Sequence, residues 1–280
     1  MGILWLASYP KSGNTWLRAF LANYMTNPRE PLSINELDRF CTSDGLAWPY
    51  EKLSGRRASE LTGEDISRLR PRVHAMLAAG RPETVIVKTH NAIELTHGVP
   101  TISPDVTEGA VYVIRNPLDV VSSYAWHYSL SLEDAAKAMA SPATTIHGSE
   151  QMIVQLLGSW SRHVRGWVDA PGLTRHVVRY EDMASRPLKA FGGVVEFLRL
   201  PKHMERLKRA VRFSDFKELS RQEREAGFKE RSRTAESFFR QGRAGAWRDS
   251  LPEALVASIV AEHGEMMSRF GYLDAKGNPV

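Results

Sequence analysis

Only one cysteine, Cys41, stands in 280 residues. That excludes an internal disulfide and any four-cysteine metal site. The same count suits a reducing compartment, so a cytoplasmic location is expected. No apolar run approaches the roughly 20 residues needed to cross a bilayer, so no transmembrane segment is expected. The opening stretch MGILWLASYPKSGNTW lacks a basic leader and reads as a buried strand rather than a signal peptide. Leu6 stands where an N-myristoylation signal wants a hydroxyl residue. Repeats, low-complexity tracts and the GxxxxGK[ST] pattern of a Walker A loop are all missing. No His, Cys and carboxylate cluster suggests a metal.

What is present is ordinary for a globular protein: 42% hydrophobic and 25% charged residues. A chain this long buries a substantial core, and one domain over 1–280 is the simplest reading. The net charge of +5 is local. Residues 201–250 hold 14 Lys/Arg against eight Asp/Glu, a local +6 that leaves −1 for the rest. Such an excess suits an anionic ligand, a nucleic acid or a solvated helix face.

Apolar runs at residues 3–8, Thr84–Lys88, Ala110–Arg115 and His176–Arg179 predict buried strands. Trp16, Leu17, Phe20, Leu21 and Tyr24 recur at helical spacing, and Pro28 and Pro31 end that helix. A helix is expected from Leu118, with others around 151–168, 187–198, 203–210 and 252–269, whereas 41–63 reads as an irregular loop. Strands alternating with helices predict an α/β fold with a central parallel sheet flanked by helices. Such sheets bind ligands at the carboxyl ends of their strands.

The first strand runs into Tyr9-Pro-Lys-Ser-Gly-Asn-Thr-Trp16, which opens a helix. Unpaired N–H groups and a partial positive charge make helix N-termini capture anions. Gly13 permits close backbone approach, Lys11 adds a charge, and Ser12 and Thr15 add hydroxyls. An isolated octet of this kind also fits an ordinary capped turn. A second loop, Arg115-Asn-Pro-Leu-Asp-Val-Val-Ser-Ser123, follows a strand and starts a helix at Pro117. A guanidinium and a hydroxyl eight residues apart can share one phosphate. A third segment, Phe239 to Arg248, is basic and punctuated by glycine.

Taken together these resemble the sulfotransferases that use 3'-phosphoadenylyl sulfate (PAPS). The octet differs from that family's Tyr-Pro-Lys-Ser-Gly-Thr-Thr-Trp 5'-phosphosulfate loop only at Asn14. Arg115, Asn116, Pro117, Asp119 and Ser123 match its Arg-Asn-Pro-x-Asp-x-x-x-Ser 3'-phosphate motif. Arg240, Gly242, Gly245 and Trp247 match its Arg-Lys-Gly-x-x-Gly-x-Trp segment, where Gln241 replaces the usual Lys and Ala246 the usual Asp. Arg243 is a candidate for supplying the missing charge.

The resemblance implies a P-loop-like phosphate-binding loop and a donor site of Lys11, Ser12, Gly13, Asn14, Thr15, Trp16, Arg115, Ser123, Tyr180, Ser214, Phe216, Arg240, Gln241 and Gly242. In it Trp16 and Phe216 stack on the base, Tyr180 binds nucleotide and Ser214 hydrogen-bonds the base. It also implies that His90 in Lys88-Thr89-His90 is the general base, with Lys11 and Lys88 stabilising developing charge and Ser123 restraining Lys11. PAPS is then the co-substrate and no metal is needed.

The expected reaction is in-line sulfuryl transfer to a hydroxyl (or amine) of a small molecule: a phenol, alcohol, glycolipid or secondary metabolite. Segments 36–63 and 125–150 are candidate acceptor loops, with Phe40, Trp48, Tyr50, Trp126 and Tyr128 as apolar lining. His127, His147, His163, His176 and His203 lack a motif and read as structural or surface. A kinase or NTPase of P-loop type is the main alternative and would want Mg²⁺ ligands. No nucleic-acid partner is expected, because residues 201–250 have few interleaved aromatics. Whether the chain forms a homodimer is not legible.

Overall fold

A computed structural model describes residues 2–80, 83–232 and 234–280. Five strands form the central sheet: β1 (Ile3–Ser8), β2 (Thr42–Ser43), β3 (Val85–Thr89), β4 (Thr107–Ile114) and β5 (Arg175–Arg179). Their order is β2-β3-β1-β4-β5 in a parallel sheet flanked by helices, so the expected fold class holds. β1 pairs with β3 in the register Ile3↔Val85 to Ala7↔Thr89, and Ser43 of β2 faces Lys88. Continuous apolar sequence in β1 and β4 follows from burial on both faces, as parallel sheets require.

The chain forms two compact units: Met1–Tyr9 with Cys41–Tyr112 and Ser141–Val177, and Pro10–Phe40 with Val113–Ala140 and Val178–Val280. The first unit buries Trp5, Tyr50, Tyr112, Trp160 and Trp167. Trp5 donates to Thr107 Oγ1 over 2.9 Å, and Tyr112 stacks on Trp167 with centroids 6.0 Å apart. The second unit buries Phe20, Tyr24, Phe191 and Tyr272. There helix α1 (Asn14–Thr26) stacks Phe20 on Phe191 at 4.1 Å. α1 ends where Asn27 turns left-handed and donates its N–H to the Asn23 carbonyl, a common helix stop.

Two segments differ from the sequence expectation. The periodicity at 151–168 predicts one helix, but the helix occupies only Trp160–Asp169, and residues 155–156 pair instead with 145–146 as a short hairpin. Gly158 at φ 63° breaks the run, and Ser159 caps the helix by accepting from the Arg162 N–H. Within the loop expected over 41–63 a helix forms at Ala47–Ser54, and α2 (Gly63–Ala79) begins at its end. Thr62 and Asp65 form a reciprocal capping box that starts α2. Pro71 inside α2 obscures the helical pattern in sequence.

Candidate active site

In the second unit, the Lys11–Trp16 loop leaves β1 and enters α1. Lys11 sits at φ 66° and Gly13 at φ 106°, left-handed backbone that turns the loop sharply. Added to Gly13, a Cβ would lie 2.8 Å from Tyr180 Cδ2, so the loop backbone lies against that ring. No side chain caps α1 and no acidic residue occupies its first turn, so its leading N–H groups suit an anion. The Ser12 hydroxyl is buried with no partner among the described residues.

Arg115 follows β4 and meets this loop directly. Its Nη1 donates to the Lys11 carbonyl over 3.1 Å, and its Nη2 to the Arg243 carbonyl over 3.4 Å. The guanidinium lies 4.1 Å from the Tyr180 ring centre, and its Nε has no partner among the described residues. The carboxyl of Asp119, in helix α3 (Pro117–Tyr128), accepts the N–H groups of Gly245 at 2.7 Å and Trp247 at 3.0 Å. Three segments far apart in sequence thereby become one cradle.

Burial, and then the neighbouring Arg115 charge, lower the Arg240 guanidinium below its ordinary value. Two guanidinium groups that feel each other's charge favour an anion nearby. Arg240 lies over the Trp126 ring at 5.3 Å, and Gly242 at φ 60° packs so closely on Phe216 that any Cβ would enter the ring. Trp16 meets Tyr180 edge-on at 5.5 Å, and its indole N–H has no partner among the described residues.

Not every expected residue offers a free group here. Ser214 is fully buried and donates its hydroxyl to the Ala210 carbonyl over 2.8 Å, so it keeps only acceptor capacity. Lys11 Nζ sits 3.4 Å from His127 Nδ1 and 3.8 Å from the centre of the Phe238 ring. A lysine ammonium only donates, so His127 is neutral at Nδ1 there. The sequence gives no motif for His127 or Phe238. Glu181 was also silent in sequence: it accepts the Asn116 N–H at 2.9 Å and the Tyr272 hydroxyl at 3.0 Å, with burial raising its carboxyl above the usual range.

The first unit holds Lys88 and His90. His90 leaves β3 with its Nδ1 2.7 Å from the Ser8 carbonyl oxygen. A carbonyl only accepts, so the proton sits on Nδ1 and the ring's lone pair on Nε2. His163 supports the same residue from the helix Trp160–Asp169, designated α4. Its Nε2 donates to the His90 carbonyl at 3.0 Å, and its Nδ1 accepts from the Tyr112 hydroxyl at 2.9 Å. Complete burial drives His163 down to about 4, so it stays neutral and in one tautomer. Of the expected acceptor lining, Tyr50 is fully buried and Phe40 packs against the core cluster that includes Ile34 and Leu37, while Trp48 is exposed and Trp126 donates to the Ser237 carbonyl at 2.9 Å.

A parallel α/β sheet whose strand ends lead into a cradle of guanidinium and unpaired N–H groups suits an anionic ligand. Comparison with known proteins narrows that reading. The family model described as "Sulfotransferase domain" matches residues 3–271. Sulfotransferase 1 family member D1 of Mus musculus is 25% identical, over 89% of this chain and 78% of that protein. Cytosolic sulfotransferase 12 of Arabidopsis thaliana is 26% identical, over 91% and 74%. A solved retinol dehydratase, in complex with androsterone and inactive cofactor PAP, shares the fold at TM-score 0.63 and 17% identity, covering 94% of this chain and 80% of its own. A mouse sulfotransferase complexed with PAP aligns at TM-score 0.60 and 18% identity, over 95% and 84%. The chain belongs to the sulfotransferase family and is an enzyme of sulfuryl transfer.

Proposed function

We propose that this enzyme takes its sulfuryl group from PAPS and places it on a hydroxyl of a small-molecule acceptor, with His90 as general base. The observation that carries the donor assignment is the Arg115 Nη1 bond to the Lys11 carbonyl, which sets the two expected phosphate motifs side by side. Bound there, PAPS would supply a sulfuryl group already activated by its phosphate leaving group. The α1 N–H groups and the Ser12 hydroxyl suit the 5' end, and Arg115 with Arg240 the 3'-phosphate. Ser123, on α3, is the further 3'-phosphate ligand that the motif predicts. Trp16, Tyr180 and Phe216 would offer aromatic surface to the base, and Asn14, Thr15, Gln241 and Gly242 are the further donor ligands that the motifs predict.

Lys11 would hold negative charge as it grows on the bridging oxygen, and Lys88 would do so at the transferring group. His90 Nε2 accepts the acceptor's proton, and its Nδ1–H stays on the Ser8 carbonyl throughout, which fixes the ring's orientation. Androsterone and retinol, named in the structures of the related fold, are small hydroxyl compounds, and an acceptor of that kind is proposed here. A relative is named cytosolic, which supports a cytoplasmic location here; no helix among the described residues is long and apolar enough to cross a membrane.

Two measurements test this reading. The product nucleotide, adenosine 3',5'-bisphosphate (PAP), without Mg²⁺ should raise Tm more than ATP with Mg²⁺ does; the opposite ranking would favour a kinase or NTPase. His90→Ala should lose turnover by about 10²–10⁴-fold, the usual worth of a general base, with PAP affinity retained. Turnover equal to that of the unmodified enzyme would remove His90 from the role.

A further inference from the structure

His90 sits in a stretch whose neighbours are fastened more tightly than the proposed chemistry requires, and the fastening converges on Asp44. This carboxyl lies just past β2 in the first unit and is almost completely buried. Its Oδ2 accepts the Thr89 hydroxyl at 2.8 Å and the Asn91 side-chain N–H at 2.9 Å, so one atom grips the residues on either side of His90. The Asp44 N–H donates to the Lys88 carbonyl at 3.3 Å. Thr89 Oγ1 also accepts the Asn91 N–H at 3.0 Å, closing the ring of bonds around the His90 backbone.

Burying a carboxylate is costly, and apolar side chains of similar volume usually serve stability as well or better. Burial raises the Asp44 carboxyl above its usual range, against the pull of Asn91, Thr89 and the buried Arg70. A group kept against that cost is explained better by geometry than by stability. The same group joins His90 to another part of the unit. The loop after Asp44 is stitched to residues 151–153 by Ala47 N–H to the Gln151 carbonyl at 2.9 Å and Ile153 N–H to the Gly45 carbonyl at 2.8 Å. Asn91 Oδ1 then accepts the Leu156 N–H at 2.8 Å.

We propose that Asp44 is the positioning residue of His90, clamping Thr89 and Asn91 so that the His90 ring keeps its Nδ1–H on the Ser8 carbonyl. The inference rests on the reading of His90 as base, and its test is arranged so that the two can fail separately. The deciding readout is the pair of His90 ring-nitrogen NMR signals in the full chain labelled with ¹⁵N-histidine, assigned by their loss in His90→Ala. In the unmodified protein they should report a protonated Nδ1 and an unprotonated Nε2.

Asp44→Asn keeps an acceptor oxygen for Thr89 and Asn91 and should keep that pattern. Asp44→Ala should replace it with tautomer-averaged signals. Thr89→Val, which leaves Asp44 beside Arg70, should do the same in part, and it decides the matter if Asp44→Ala does not fold. PAP affinity should stay within about twofold in each variant, since the donor residues lie in the other unit. Turnover with 2-naphthol as acceptor probe should fall on the order of ten- to a hundredfold in Asp44→Ala and Thr89→Val, as for a misplaced reacting group, and recover in Asp44→Asn. Unchanged His90 signals in folded Asp44→Ala and Thr89→Val would overturn the clamp. If His90→Ala turns over normally, the base reading fails instead, and the ring-nitrogen signals still report on the clamp.

Discussion

Replacing Arg115 with alanine separates two jobs that the structure gives to one side chain. The guanidinium braces the loop through the Lys11 and Arg243 carbonyls, and its buried Nε, which has no partner among the described residues, is left for the expected 3'-phosphate. The second job is worth about 1.5–3 kcal/mol, as for a hydrogen bond to a charged group, or roughly 10- to 150-fold in Kd. The first acts through the shape of the loop and so weakens nucleotides with and without a 3'-phosphate alike. Removing Arg115 also relieves Arg240 of a like-charged neighbour, so Arg240 recovers some of the loss and the lower end of the range is expected. Titration calorimetry with PAP and with adenosine 5'-monophosphate divides the two effects, because only the former carries a 3'-phosphate. Arg115→Ala should cut the preference for the bisphosphate by roughly tenfold, the lower end of that range, while the monophosphate weakens less. Equal loss for both ligands would mean that Arg115 only braces the Lys11 loop, and the 3'-phosphate assignment would fall.

Gly13→Ala should destabilise the fold by about 2–4 kcal/mol, adding left-handed strain to a Cβ placed 2.8 Å from Tyr180. A thermal melt with unchanged Tm would refute that close approach. His163 supplies a pH dependence. Its folded value of about 4 lies below the 6.5 of a free histidine, so below pH 6.5 the unfolded chain takes up a proton that the fold refuses. Its contribution is complete above about pH 6.5 and falls by about 1.4 kcal/mol per unit down to about pH 4. Asp44 and Glu181, raised by burial, act in the opposite direction, so the comparison to make is with His163→Phe. The stability gap between unmodified and variant protein, from urea unfolding, should shrink from pH 7 to pH 5; a constant gap would contradict a neutral buried His163.

What could be read from sequence follows from how local each signal is. The Lys11–Trp16 turn, the Arg115 loop and the strands leading into them are contiguous, and a contiguous run can be matched to a family motif where scattered residues cannot. Asp44, Glu181 and His163 declare nothing in that way, because each acts on a partner 45 to 73 residues away in the chain. A buried histidine with both nitrogens bonded looks in sequence like any core histidine. The missed α2 was legible in part, since Thr62 and Asp65 make a capping box, but Pro71 argues against a helix until its neighbours are known. The groups proposed to react therefore sit in short motifs, while the groups proposed to orient them emerge only from the fold. His90 illustrates the division: the sequence names the imidazole, and only the Ser8 carbonyl decides which of its nitrogens can take a proton.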